Sequence, residues 1–240
     1  MCSINIIRKR LTIFSCSHLN NSVEYFKLKV NVWISSCRVN YNNGMKKKLR
    51  IVINALMAVM IITQWIKLCL SISGSGFMTG GLRTLKYFTV LSNLLEAFAC
   101  VMFIVKGNET IKYVAAVSVG LTFTVVMVFL GPVFGYAMMF AGPSLWFHLL
   151  IPLAAMAELI IFNHRKLTVK DNLWTVFPML VYGISYLGNI IINGIPGNDW
   201  YGFLRWGYPA SAVILVIIVL ITYLIGFILR KLNEKVGVIR

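Results

Sequence analysis

Long apolar stretches, separated by short polar and mostly basic connections, set the pattern of this chain. Six of them stand out, at about 51–70, 86–106, 111–130, 144–162, 173–192 and 208–229. Each approaches the roughly 20 residues that a helix needs to cross a ~30 Å hydrocarbon core. The fifth is interrupted by Pro178, Gly183, Gly188 and Asn189. Lipid gives a backbone no hydrogen-bond partners, so each stretch is expected to be helical. The pattern predicts an all-α polytopic membrane protein, a six-transmembrane-helix bundle formed as one domain over 45–240.

Residues 1–44 differ in character, being rich in Asn, Ser, Lys and Cys. They hold no apolar run long enough for the core of a signal peptide. Met45-Lys-Lys-Lys-Leu-Arg50 then reads like the opening of a protein that begins with a cytoplasmic basic cluster. The expectation is that 1–44 is a leader, disordered or lying ahead of the true start. Abundant peptides from 11–38 in the native protein would refute it.

Composition agrees with the pattern. Hydrophobic residues make up 59% of the chain and charged residues 12%, about half the charge of a soluble domain; mean hydropathy is +0.80. The formal charge of +16 would suit a nucleic-acid partner, but its distribution argues against one. Thirteen basic residues, from Lys46, Lys47, Lys48 and Arg50 through Lys106, Lys112, Arg165, Lys166 and Lys170 to Arg230, Lys231, Lys235 and Arg240, fall on one side of the predicted spans. Three fall on the other: Arg83, Lys86 and Arg205. That asymmetry is the positive-inside signal, with both ends cytoplasmic and with membrane lipids as the partner that the charge attracts. The five cysteines (Cys2, Cys16, Cys37, Cys69 and Cys100) show no metal-ligand spacing. No P-loop, GxGxxG or HExxH is present, and Gly183-Ile-Ser-Tyr-Leu-Gly188 misses GxSxG by one residue. No metal or cofactor is implied.

Ionisable groups inside a bilayer are costly, which makes each a functional candidate. Lys67 lies near a span end, where it can snorkel to the headgroups; Gln64 suits a helix–helix hydrogen bond. In the second stretch Thr89, Asn93 and Glu96 stand at i, i+4 and i+7, one stripe that should face the bundle interior. The fourth carries His148, Pro152 and Glu158. Both spans run from outside to inside. Thr89 and His148 each fall about four residues past the outer end, near 6 Å deep at ~1.5 Å per residue. A hydroxyl becomes a nucleophile beside a base, and neutral imidazole serves as one. Glu96 and Glu158 lie deeper and are not obvious orienters of that histidine. Pro152 has no N–H, so the carbonyl of His148 should lose its helical partner. Set against this, a membrane threonine commonly bonds its own i−4 carbonyl, and a lone histidine serves equally well in an ion path or a purely structural role.

Leu85-Lys-Tyr-Phe-Thr89 with Ser-Asn-Leu-Leu after it, and His148 with Pro152 and Glu158 after it, resemble the androgen-induced membrane protein family and its bacterial six-span relatives. The Asp199-Trp-Tyr-Gly-Phe-Leu and Trp206-Gly-Tyr-Pro209 segments resemble a stretch that the family has before its sixth span. The eukaryotic members are threonine hydrolases that cleave fatty acid esters of hydroxy fatty acids. The resemblance implies a lipid-ester hydrolase of a bacterial cell membrane, with Thr89 as nucleophile and His148 as base. Asn93, Asp199 or Arg205 would orient the base or a substrate carboxylate. The site would open toward the outer leaflet to an acyl-ester substrate. The shorter Thr89-to-His148 spacing and Glu96 depart from the eukaryotic pattern. The alternative is a transporter or channel in which Glu96, Glu158 and His148 form a proton or cation path, with Lys67 as counter-charge.

Overall fold

A computed structural model describes the backbone over residues 22–72, 77–163 and 165–239, and side chains over 44–71, 79, 81–163, 165–204 and 207–236. Cys2, Cys16 and His18 of the expected leader, and His164, lie outside the described residues. So do the side chains of Cys37 and Arg205. The chain divides into two units, Met1–Lys47 and Lys48–Arg240. The described part of the first unit, from Ser22, is helical and belongs to a helix Ser22–Ile72. The second unit is the bundle.

Among the described residues six helices are long and apolar enough to cross a membrane: Gly44–Ser71, Phe88–Lys106, Glu109–Phe134, Pro143–Phe162, Val169–Asn193 and Gly207–Val236, the first to sixth spans. No strand occurs among the described residues. The chain is a multi-pass integral membrane protein built as an all-α six-helix bundle. Large apolar side chains such as Val59, Val105, Val128, Ile184, Ile192 and Leu220 point outward, more than half exposed. In lipid that outer surface is where they belong.

The third span is the most buried of the six and packs against the second, fourth and sixth. Small residues allow this. Ala115, Ala116 and, on the fourth span, Ala155 are fully buried, and Gly120 approaches Met156 and Ile225 so closely that a methyl group would meet them at 3.1 and 3.3 Å. Tyr113, the largest fully buried side chain, points its hydroxyl at Asn172 Oδ1 and the Gly226 carbonyl, each 2.7 Å away. That contact joins the third, fifth and sixth spans.

The fifth helix begins with a capping box, in which Thr168 and Asp171 satisfy each other's backbone amides. Its next break falls at Thr175–Val176, just before Pro178. The third and fourth spans each contain a π-helical turn, at Val126–Leu130 and Trp146–Leu150. The second of these holds His148 and sits directly before Pro152.

Candidate functional site

Thr89 lies in the first turn of the second span, after Tyr87 as N-cap. The expected polar stripe does face inward: Asn93 and Glu96 are fully buried. Thr89 lines a small cavity of about 40 Å³ together with Thr122, Val125, Tyr182, Tyr201 and Phe203. Its hydroxyl makes no hydrogen bond among the described residues, whereas Ser118, Thr124, Ser185 and Thr222 all donate to their i−4 carbonyls. Thr89 stands in the first turn, where its i−4 residue, Leu85, precedes the helix, so the back-bond common to threonines in membrane helices does not form.

His148 turns its Nδ1 to the carbonyl of Met139, 2.6 Å away in the connection before the fourth span. A carbonyl only accepts, so Nδ1 carries the proton and Nε2 keeps its lone pair. Among the described residues Nε2 has no hydrogen-bond partner, and none joins the imidazole to the Thr89 hydroxyl.

His148 does not line the cavity that Thr89 lines; the link between their spans is a backbone one, made by Asn93. Its amide donates to the Thr89 carbonyl at 2.7 Å and to the Phe147 carbonyl at 3.2 Å, which places those two carbonyls within about 6 Å of each other. Thr89 and the residue preceding His148 thus sit at one level on neighbouring spans. Phe147 is free to accept for a local reason. In the π turn the Ile151 amide bonds to Trp146 instead of Phe147, and the residue after it is Pro152, with no amide to give. The sequence points to the His148 carbonyl as the one that Pro152 releases; the acceptor that the structure puts to use is its neighbour, Phe147.

Tyr201 closes the same cavity from the loop before the sixth span, and its hydroxyl accepts the Phe88 amide at 2.9 Å. Burial, reinforced by Tyr182 beside it, holds the Tyr201 phenol well above its usual range, so the hydroxyl keeps its proton. Phe88 and Tyr182 also line a second hollow, a groove of about 320 Å³ between the second and fifth spans, with Lys86, Leu91, Val181 and Ser185 along it. The two cavities share a wall made by these rings.

The other candidates fall elsewhere. Asp199 accepts the Tyr186 hydroxyl and the Phe203 and Leu204 amides at 2.9 and 3.0 Å; it builds the loop rather than facing His148. Lys67 is exposed and Gln64 buried. Glu96 and Glu158 come together, but with neither His148 nor Lys67. They belong to a buried ionic group formed with Arg50, Glu109 and Lys112. Arg50 and Lys112 count among the flanking basic residues of the sequence pattern, yet they are 5% and 0% exposed. The one available signal is spacing: Glu109 and Lys112 stand three apart at a helix start, one turn of a single face.

Among the described residues no group of His, Cys, Asp and Glu is placed to hold a metal ion. Comparison with protein families, with curated proteins and with solved structures yields no match for this chain.

Proposed function

We propose that this membrane protein is a lipid-ester hydrolase in which Thr89 is the nucleophile and His148 the general base. The observation that carries the reading is the Asn93 bridge between the Thr89 and Phe147 carbonyls. It ties the backbone at Thr89 to the backbone of the residue before His148, which supports the reading that the two side chains serve one site. Contacts between such side chains tighten when substrate is bound.

In this reading the acyl chain enters from lipid along the groove between the second and fifth spans. The ester carbonyl reaches Thr89 past Phe88 and Tyr182. Nε2 of His148 takes the hydroxyl proton as Thr89 Oγ1 bonds to the ester carbon. The alcohol then leaves with that proton, and water, deprotonated by the same imidazole, releases the acid and restores Thr89. The Met139 carbonyl supports the imidazolium formed on the way. The protonated Tyr201 hydroxyl, on the wall of the same cavity, stabilises the charge that develops on the ester oxygen.

The test is labelling by an activity-based probe for serine and threonine hydrolases, in membranes that carry the wild-type chain, Thr89→Ala or His148→Ala. Both variants should lose labelling. Undiminished labelling in both rules the mechanism out.

A further inference from the structure

Beginning at Glu96, two turns along the second span from Thr89, five ionisable side chains meet in an apolar interior. Lys112, fully buried, bonds to Glu96 and lies 3.5 Å from Glu158 Oε2. Arg50 gives Glu158 one bond, at 2.5 Å, and gives Glu109 two, at 2.5 and 2.7 Å, while stacking on the Phe103 ring at 4.0 Å. Cys100 Sγ is 3.5 Å from both Glu96 Oε1 and Lys112 Nζ. These groups come from the first, second, third and fourth spans; among the described residues no titratable side chain of the fifth or sixth bonds to them.

The group as a whole is short of positive charge. Three carboxylates face two cations, for a formal charge of −1. Arg50 divides its bonds between Glu109, whose side chain is 17% exposed, and Glu158, while Lys112 is shared by both inner carboxylates. It is also short of donors. Glu96 Oε2, Glu158 Oε2 and Asn54 Oδ1 are buried acceptors with no hydrogen-bond partner among the described residues, and Asn54 Nδ2 is committed to Glu158 Oε1 at 3.1 Å and to the Arg50 carbonyl. An uncompensated charge and orphaned acceptors at such depth are expensive. One hydrogen ion answers both, because a carboxyl group is neutral and is itself a donor.

We propose that Glu96 and Glu158 form a proton-exchange site inside the bundle, loaded from the end where Glu109 meets water. A hydronium ion at that rim gives its proton to a carboxylate oxygen of the pair and departs as water. Arg50, already shared, then shifts its remaining bond from Glu158 toward Glu109. The reverse movement expels the proton. The site is separate from Thr89 and His148, and the proposal does not rest on the hydrolase reading.

The experiment is infrared difference spectroscopy of the full chain in lipid vesicles on a change of pH. The expected result is a carbonyl band of one protonated carboxyl group per chain, reversible with pH and shifted in D₂O. It should vanish in Glu96→Gln and in Glu158→Gln, since either amide removes the charge that the proton balances. It should persist in Glu234→Gln, on the last span. Three results overturn the proposal: no such band in the wild-type chain, a band unchanged in both glutamine variants, or one abolished by sodium or potassium at constant pH. Should neither variant fold, the wild-type spectrum in D₂O and its response to alkali ions still decide.

Discussion

The side-chain amide of Asn93 donates to the carbonyl of Phe147 at 3.2 Å, joining the second span to the π turn that carries His148. The bond depends on three local facts: a carboxamide one turn after Thr89, a π register that draws the Ile151 amide to Trp146, and a proline where the next amide would be. Asn93→Ala removes the bridge and leaves both carbonyls without this donor. It should lower stability by about 1–3 kcal/mol. Probe labelling should fall about tenfold or more through loss of alignment, with Thr89 and His148 intact. Thermal unfolding in detergent, run beside the labelling assay, checks both.

Tyr201→Phe keeps the ring that fills space and removes the hydroxyl, which accepts the Phe88 amide and in the proposed mechanism donates to the ester oxygen. On the proposed mechanism ester turnover should fall by roughly 10²-fold while probe-independent folding is retained, the effect of losing one donor to a developing oxyanion. A loss in kcat, with KM little changed, distinguishes that role from a share in substrate binding.

Gly226 has no room for a side chain. A Cβ there would meet Asn172 Oδ1 at 2.1 Å and the Tyr113 hydroxyl at 3.1 Å. Gly226→Ala should cost about 1–3 kcal/mol as the Tyr113–Asn172 contact is pushed apart. Gly188→Ala, with nothing within 4 Å, should be neutral or slightly stabilising, because alanine favours helix. Unfolding temperatures of the two variants provide the comparison.

Lys112→Met strips the inner carboxylates of their main counter-charge. It should destabilise the bundle by roughly 3–5 kcal/mol. Adding Glu96→Gln should restore a large part of that loss, since the remaining amide carries no charge. Denaturation of the two variants and the double variant gives the coupling directly.

The asymmetry of basic residues predicts which ends are cytoplasmic. In a cysteine-free background, a cysteine at Tyr136 should react with a membrane-impermeant maleimide added outside intact cells, and one at Lys170 should react only after permeabilisation. The opposite pattern would invert the topology.

Much of the architecture was legible from apolar run length alone. The run at 111–130 is a central helix that extends to Glu109–Phe134, and the run at 173–192, broken as it is by Pro178, still forms the body of a spanning helix. The reason is that the bilayer acts on each segment separately: a stretch long enough to cross must satisfy its own backbone, wherever its neighbours are. Period alone also placed Asn93 and Glu96 on an inward face. By contrast, the partners of a polar group are decided between helices. Lys112 looks like one more basic residue beside a loop, and nothing near it in the chain says that Glu96 and Glu158 enclose it. Likewise the sequence marks Pro152 as a point of backbone weakness, but only the packing of the second span against the fourth determines that Asn93 fills the acceptor it exposes. Hydrophobic length is a local property and can be read in one dimension; charge pairing in a medium without water depends on which side chains meet, and that is known only once the helices are packed.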